Sequence, residues 1–230
     1  MNLLGLDTSS VACTVALQQG DQITERHEEK PREHTRLLLP MIRSLLEEAK
    51  METSDLDAIV LGNGPGSFIG MRIAASVAQG IAFASGIRII PISSLAAVAV
   101  QVLAEHDATE VAVTQDAHMS EVYLGIYAGD DSGVAKPLIA ERLQPQSAIA
   151  ELSSSPDGRR IAAGSGWSRY PALFEHNIDR IDQVADILYP RARFLLKLGA
   201  QALEAGESIP PADVVPAYLR QKVAQKPASS

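Results

Sequence analysis

The chain has 230 residues, of which 46% are hydrophobic and only 4% aromatic, which suits one large or two small domains with aliphatic cores. A formal net charge of −8 argues against a free-standing nucleic-acid-binding protein, because phosphate binding depends on a surplus of Lys and Arg. Cys13 is the single cysteine, so an internal disulfide is excluded, and we expect this residue to lie in the core rather than act as a nucleophile.

The first half of the chain alternates short apolar runs with segments of helical periodicity. Pro40 is expected to kink the first helix because its ring blocks a backbone hydrogen bond, and Gly86 is a natural stop for the second. The first strand ends at Asp7, before a tight turn. Strands are predicted at 3–6, 11–17, 22–28, 58–61 and 87–92, and helices at 33–50, 71–85 and 93–105.

The second half repeats this order, and its first strand also ends at an acid, Asp116. Each half therefore reads strand–strand–strand–helix–strand–helix, which predicts two stacked α/β lobes with mixed sheets, at 1–106 and 107–220. Strands are predicted at 111–116, 122–127, 137–143 and 161–163, helices at 146–152 and 191–205, a polar loop at 153–160, an extended segment from Ser208 and a flexible tail at 221–230.

A glycine-rich loop at 62–70 joins a predicted strand to a predicted helix. Such loops can bind phosphate through free amides and the positive helix end. However, no Lys-Ser/Thr pair follows the last glycine, as a P-loop requires, and Pro65 removes one donor. The residues favour the alternative, a tight turn with close packing. For Asp7, orienting a nucleotide-bound metal and stabilising the turn are equally open roles.

The sequence offers no complete catalytic or metal site. None of the five histidines has another histidine three or four positions away, and there is no Cys-x-x-Cys pair. No Gly-x-Ser-x-Gly nucleophile motif occurs. We therefore predict no catalytic residue, no metal ligand and no cofactor of the chain's own.

The N-terminal segment and the apolar runs predict a cytoplasmic protein. The first residues include no basic region, and Asp7 interrupts their apolar run, so a signal peptide is not expected. The longest apolar run, 95–100, is too short to span a membrane.

Several stretches in combination resemble the TsaB (YeaZ) family, and the resemblance extends over nearly the whole chain. It implies a two-lobed actin-like ATPase fold, the ribonuclease H-like class of sugar kinases and heat-shock ATPases. The stretches are Gly-Leu-Asp-Thr-Ser at 5–9, Arg-Glu-His-Thr at 32–35, Gly-Pro-Gly-Ser-Phe at 64–68, Ala-Gln-Gly at 78–80, Asp-Ala at 116–117, Gly-Ser-Gly-Trp at 164–167 and Tyr-Leu-Arg at 218–220.

The resemblance also implies a role in making threonylcarbamoyladenosine at position 37 of tRNAs that read codons starting with A. TsaB proteins are non-catalytic partners of a larger sibling, TsaD, which transfers the threonylcarbamoyl group, and the ATPase TsaE joins them. ATP is then used by the complex, and tRNA is contacted indirectly. The metal-binding histidines of TsaD would fall at Ser94 and Val98, which supply no imidazole. The implied nucleotide site is degenerate and comprises Asp7, Thr8, Gly64, Gly66 and Asp116.

The hypothesis that follows places the partner surface on the two helices at 33–50 and 71–85, with a homodimer through the same surface when TsaD is missing. Leu39 lies outside the main apolar stripe of the first helix, and small residues on the second allow a neighbouring helix to approach closely. A charged substitution at Ala78 is expected to abolish the complex while leaving the monomer folded. The expected interface residues are Leu38, Met41, Ile42, Leu45, Arg72, Ala75, Ala78, Gln79 and Ala82.

Two other functions remain open. An ATP-dependent phosphotransferase of the same fold would need a second phosphate loop and a catalytic acid, for which Asp116 is the candidate. A peptidase would need a nucleophile and a base, and no such pair is evident in the sequence.

Overall fold

The computed structural model describes residues 1–130, 133–152 and 159–220. The predicted tail at 221–230 and most of the predicted loop at 153–160 lie outside the described residues. The first half contains strands β1 (Asn2–Asp7), β2 (Ala12–Gln19), β3 (Gln22–Glu29), β4 (Ala58–Gly62) and β5 (Arg88–Ile92), helices α1 (His34–Ala49), α2 (Phe68–Ser85) and α3 (Ser94–Glu105), and a short 3-10 helix at Thr53–Asp55.

The second half has shorter helices and more strands than predicted. Its strands are β6 (Glu110–Asp116), β7 (Glu121–Gly129), β8 (Ala135–Pro137), β9 (Arg142–Pro145), β10 (Arg160–Ala163) and β11 (Gln183–Val184), and its helices are α4 (Ser165–Arg169), α5 (Pro171–Glu175) and α6 (Ala192–Glu204). Short 3-10 helices lie at Ile178–Arg180 and Pro211–Asp213.

The two sheets share one strand order. The first sheet runs β3-β2-β1-β4-β5, and the second runs β8-β7-β6-β10-β11, with β9 also paired to β7. In each sheet the first three strands pair antiparallel and the next two pair parallel. This confirms the predicted mixed sheets, and it places Asp7 and Asp116 at equivalent ends of the central strands β1 and β6.

The two halves are joined by the packing of two helices. Helix α6, from the second half, buries Leu195 and Leu196 against the first sheet. A Cβ added at Gly199 would lie 2.3 Å from the Val60 side chain, so a glycine is needed where the helix approaches β4. Helix α3, from the first half, packs instead into the core of the second sheet. The halves therefore share core contacts with each other's helices.

Local capping sets the helix boundaries. The Ser67 hydroxyl accepts a hydrogen bond from the Gly70 amide at 3.2 Å, so α2 begins three residues before the predicted start at 71. Gly86 follows α2 in the left-handed conformation, at φ 69°, as predicted. The Ser93 hydroxyl accepts from the amides of Leu95 and Ala96, both at 3.1 Å, and begins α3.

The predicted helix at 146–152 is wrong. The backbone of Ile149 is engaged by a distant segment, because its amide donates to the Asn177 side chain at 2.9 Å and its carbonyl accepts from Arg180 at 3.0 Å. These bonds compete with the hydrogen bonds that a helix would need.

The predicted strand at 137–143 is also wrong, because it is divided between β8 and β9. Between these strands Glu141 turns inward and accepts hydrogen bonds from the hydroxyls of Ser93 and Tyr127. Burial raises the pKa of the Glu141 carboxyl. The side chains of a continuous strand point alternately to the two faces of a sheet. The contact of Glu141 with Ser93 and Tyr127 instead depends on a turn of the chain between β8 and β9.

The expected position of Cys13 is confirmed. Its side chain is buried within the first core. Burial raises the pKa of the thiol to about 12, which keeps it protonated and unreactive at neutral pH.

Candidate functional site

Two loops meet at the ends of β1 and β4. The Thr8 hydroxyl donates to the Gly70 carbonyl at 2.7 Å, and the Ser67 amide donates to the Ser9 carbonyl at 2.6 Å. A Cβ added at Gly66 would lie 2.2 Å from the Ser9 carbonyl oxygen. The glycines of the 62–70 loop thus allow two backbones to approach closely, which confirms the packing interpretation of this loop.

The Asp7 side chain also stabilises the contact between the loops that follow β1 and β4. This side chain is fully buried, and its carboxylate accepts from the Ser9 amide at 2.6 Å and from the Ser94 hydroxyl at 2.5 Å. The Ser94 oxygen in turn accepts from the Gly64 amide at 3.1 Å. The turn-stabilising role of Asp7 is therefore confirmed. Ser94 supplies a partner that the sequence did not reveal.

Several groups of the loop and of Asp7 are already used within the protein. The amides of Asn63, Gly64 and Ser67 donate to other groups of the protein, and Pro65 has no amide hydrogen. The Asp7 carboxylate has no exposed surface from which to reach a metal. Asp7, Thr8, Gly64 and Gly66 therefore make structural contacts, and nucleotide binding by this set stays a prediction.

Asp116, the fifth residue of the expected nucleotide site, has its own set of partners. Its carboxylate accepts from the Tyr170 hydroxyl at 2.7 Å and from the His118 amide at 2.8 Å, and its side chain remains 20% exposed. The structure thus brings Asp7, Thr8, Gly64 and Gly66 together, whereas Asp116 is bonded within the second half.

Replacing Asp7 with Asn is expected to raise the free energy of unfolding at pH 7, because a buried carboxylate is costly to ionise. Burial raises the pKa of Asp7 above its ordinary value of 3.8, so the folded chain holds this proton more tightly than the unfolded chain. Stability from the group is therefore greatest at low pH and is lost as pH rises through the raised pKa. The Asn variant should lack this pH dependence. Denaturant titrations at pH values from 4 to 8 measure the free energy of unfolding of both proteins.

The control for this prediction is Ser94→Ala, which removes the donor to Asp7 and the acceptor of the Gly64 amide. We expect it to lower the free energy of unfolding by about 1–3 kcal/mol. If Asp7→Asn destabilises the protein as much as Ser94→Ala does, the buried carboxylate must stabilise the junction in its charged form.

The predicted partner interface requires a correction. Seven of its nine residues, Leu38, Met41, Ile42, Leu45, Ala75, Ala78 and Ala82, are buried in the first core, because these faces of α1 and α2 cover their own sheet. The expectation that a charge at Ala78 would leave the monomer folded is wrong, since this side chain has 0% exposure and a buried unpaired charge is strongly destabilising. Arg72 is exposed, and Gln79 is partly buried.

An apolar groove lies between the outward sides of α1 and α2. It has a volume of ≈ 570 Å³ and is lined by Thr35, Leu38, Leu39, Ile69, Arg72, Ile73, Ser76 and Val77. Leu39 of α1 is 52% exposed and Ile69 of α2 is 70% exposed. Phe83, which also lies on α2, is 83% exposed. We call this surface the α1/α2 groove. Leu39 and Ile69 are accessible without any change in the core, whereas Leu38 is buried beneath the groove.

Helix α2 combines an apolar composition with limited burial. Among the helices that the structure describes, it alone is long and apolar enough to cross a membrane, and 33% of it is buried. Its buried residues, such as Ala74 and Ala78, face the first sheet, while Arg72 is its single charged residue. An apolar outward face on a helix that packs on its own sheet is typical of a docking surface.

The extended segment from Ser208, which the sequence predicts, crosses from the first half to the second. Ile209 pairs with Ile89 of β5, and the Ala217 amide donates to the Asn63 carbonyl at 3.1 Å. Arg220 then forms an ion pair with Glu121 at 2.7 Å. We call residues 208–220 the C-terminal strap.

The sequence of this chain is similar to those of known proteins. Residues 24–227 match the family model described as "TsaD: tRNA N6-adenosine threonylcarbamoyltransferase". The chain is 31% identical to "tRNA threonylcarbamoyladenosine biosynthesis protein TsaB" of Escherichia coli over 98% of this chain and 97% of that protein. It is 35% identical to the Haemophilus influenzae protein of the same name, with coverages of 98% and 96%.

Solved structures agree with the sequence relatives. "YeaZ from Pseudomonas aeruginosa" superposes with a TM-score of 0.85 at 36% identity, covering 95% of this chain and 99% of that one. A second Pseudomonas aeruginosa structure, described as an uncharacterized protein "with similarity to peptidase YEAZ", gives 0.87 at 37% identity with the same coverages. The predicted two-lobed actin-like ATPase fold is confirmed, and the chain belongs to the TsaB (YeaZ) family.

Proposed function

We propose that this chain is a non-catalytic scaffold and activator subunit in the formation of threonylcarbamoyladenosine at position 37 of tRNAs that read codons starting with A. Its relatives carry the name of this biosynthesis. In this proposal a TsaD-type subunit performs the transfer, a TsaE-type ATPase joins the complex and uses the ATP, and tRNA contacts this chain indirectly. The assembly works in the cytoplasm.

The α1/α2 groove is the observation that carries this proposal. It is an apolar surface on a helix pair whose other faces already cover the first sheet. Burying such a surface against a partner helix releases water from exposed side chains such as Leu39 and Ile69, at roughly 25 cal/mol per Å² of apolar area. The groove would receive the matching helices of a TsaD-type subunit, and in its absence a second copy of this chain.

The glycine loop after β4 favours a scaffold over the ATP-dependent phosphotransferase, because part of its amide set is used within the protein. A kinase of this fold would need free amides for phosphate, whereas the amides of Gly64 and Ser67 are engaged within the protein. A peptidase, which the description of one structural relative suggests, would need a nucleophile beside a base at the surface. The hydroxyl of Ser9, the serine nearest to Asp7 in the chain, is fully buried.

Two measurements on purified protein test this proposal. We expect the chain to co-elute with a TsaD-type protein in size-exclusion chromatography with light scattering, and to show no ATP hydrolysis above buffer when alone. Separate elution of the two proteins would contradict the partner assignment. Steady ATP turnover by the isolated chain, abolished by Asp116→Asn, would favour the phosphotransferase instead.

A further inference from the structure

Arg72 is the charged residue of the α1/α2 groove. The other residues that line it are apolar or carry a hydroxyl group. Within α2 no second charged side chain accompanies it. A single cation in an apolar groove determines which partner the groove can accept, because a covered charge needs a partner of opposite sign.

The guanidinium of Arg72 is held in place before any partner binds. Its Nε donates to the Tyr218 hydroxyl at 2.8 Å, and its Cζ lies 3.6 Å from the centre of the Phe68 ring. The centre of the Tyr218 ring is 5.5 Å away. These contacts fix the plane of the guanidinium, so less side-chain freedom is lost when a ligand pairs with it.

The two terminal nitrogens of Arg72 have no partner among the residues that the structure describes, in which Nε alone is hydrogen-bonded. Their N–H groups are now available to water. An apolar helix laid over the groove would remove that water and leave these donors unsatisfied, which is unfavourable. A carboxylate, which can accept two parallel N–H bonds from one guanidinium, removes this difficulty.

Helices α1 and α2 of a second copy, which form the groove, would bring no unpaired acid close to Arg72. The acids of α1 are Glu47 and Glu48 near its C-terminal end, about 18 Å along the helix from Thr35 in the groove. Glu33, at the N-terminal end, is paired with Arg36. In a two-fold dimer both copies present the same surface, so α1 and α2 of the second copy would leave the two Arg72 side chains without an acidic partner.

We propose that Arg72, positioned by Phe68 and by Tyr218 of the C-terminal strap, anchors an Asp or Glu side chain from an amphipathic helix of the TsaD-type partner. This inference rests on the proposed function, and it adds the chemistry by which the groove distinguishes that partner from a second copy. Because Tyr218 belongs to the C-terminal strap, the strap is also part of the proposed binding surface.

The test is calorimetric titration of the full-length chain with a TsaD-type protein. We expect Arg72→Gln to weaken binding about 100-fold and Arg72→Lys about 10-fold, since an ammonium cannot reproduce the stacked, bidentate contact. Tyr218→Phe, which keeps the ring and removes the hydroxyl, should weaken binding several-fold. The control is Arg169→Gln in the second half, an exposed arginine 5.9 Å from the ring of Tyr170, which should bind as the wild type does.

Three outcomes would overturn the anchor. One is equal affinity for Arg72→Gln and Arg169→Gln, while Leu39→Asp loses binding, which would leave the groove as the docking site without an anchor. Another is an equal loss of homodimer affinity in Arg72→Gln, measured by analytical ultracentrifugation. The third, no binding by the wild-type chain, would overturn the proposed function as well.

Discussion

The Leu39→Asp variant is expected to lose binding to a TsaD-type protein by about 100-fold or more, and with it the activity of the reconstituted complex. Leu39 lines the α1/α2 groove and is 52% exposed. A partner that covers the groove would bury the introduced carboxylate among apolar side chains, and this carboxylate would compete with the partner's acid for Arg72, the cation of the same groove. Because the side chain is outside the core, we expect the free energy of unfolding to change by less than about 1 kcal/mol.

The matched control for this prediction is Leu138→Asp. Leu138 is 51% exposed and lies in the second half, between β8 and β9, so the two variants make the same chemical change at the same exposure. Titration calorimetry gives the affinities, and thermal unfolding verifies that both variants fold. Equal affinity for the two variants would show that the partner does not use the groove.

The Gly70→Ala variant is expected to lower the free energy of unfolding by roughly 3 kcal/mol or more. A Cβ at this position would lie 1.9 Å from the Thr8 carbonyl oxygen. Relief requires α2 to move away from the loop after β1, which would break the Thr8 hydrogen bond to the Gly70 carbonyl. The junction around Asp7 would then open to water.

Gly80→Ala provides the control within the same helix. A Cβ added at Gly80 meets nothing within 4 Å, so Ala should stabilise the helix by roughly 0.5–1 kcal/mol through its lower backbone entropy in the unfolded chain. Urea titrations of both variants measure the two effects. Similar stability of Gly70→Ala and Gly80→Ala would contradict the packing role assigned to the glycine loop.

The helices and strands of the first half follow from local sequence. The spacing of Leu38, Met41, Ile42 and Leu45 predicts a helix at 33–50, and α1 is His34–Ala49. The same periodicity does not reveal which apolar residues meet the protein's own sheet. Leu38 and Leu39 are adjacent and chemically identical, yet they are 1% and 52% exposed. The direction of each side chain depends on how the helix docks, which is a tertiary property.

The errors in the second half have a non-local cause. The backbone at Ile149 is held by Asn177, a residue 28 positions away in the chain. Glu141 is drawn inward by Ser93, at a separation of 48 positions. A window of neighbouring residues contains neither partner, so periodicity alone predicts a helix and a continuous strand there.

The candidate site, too, is predicted only in part by local sequence. The glycine loop and Asp7 are recognisable from sequence because their residue types are unusual for a strand end. The partners that determine their roles are not, since Ser94 is 87 positions from Asp7 and Tyr218 is 146 positions from Arg72. The sequence predicts an extended segment from Ser208, and Tyr218 and Arg220 lie in a stretch that resembles the TsaB family, but neither signal shows which residues the C-terminal strap contacts.

Reconstitution of the tRNA modification tests the scaffold assignment most directly. The assay contains a TsaD-type protein, a TsaE-type ATPase, threonylcarbamoyl-adenylate synthase, ATP, threonine, bicarbonate and unmodified tRNA, with or without this chain. We predict that threonylcarbamoyladenosine forms only when the chain is present, and that the chain with ATP and tRNA alone forms none. Equal product with and without the chain would contradict its role as a required subunit.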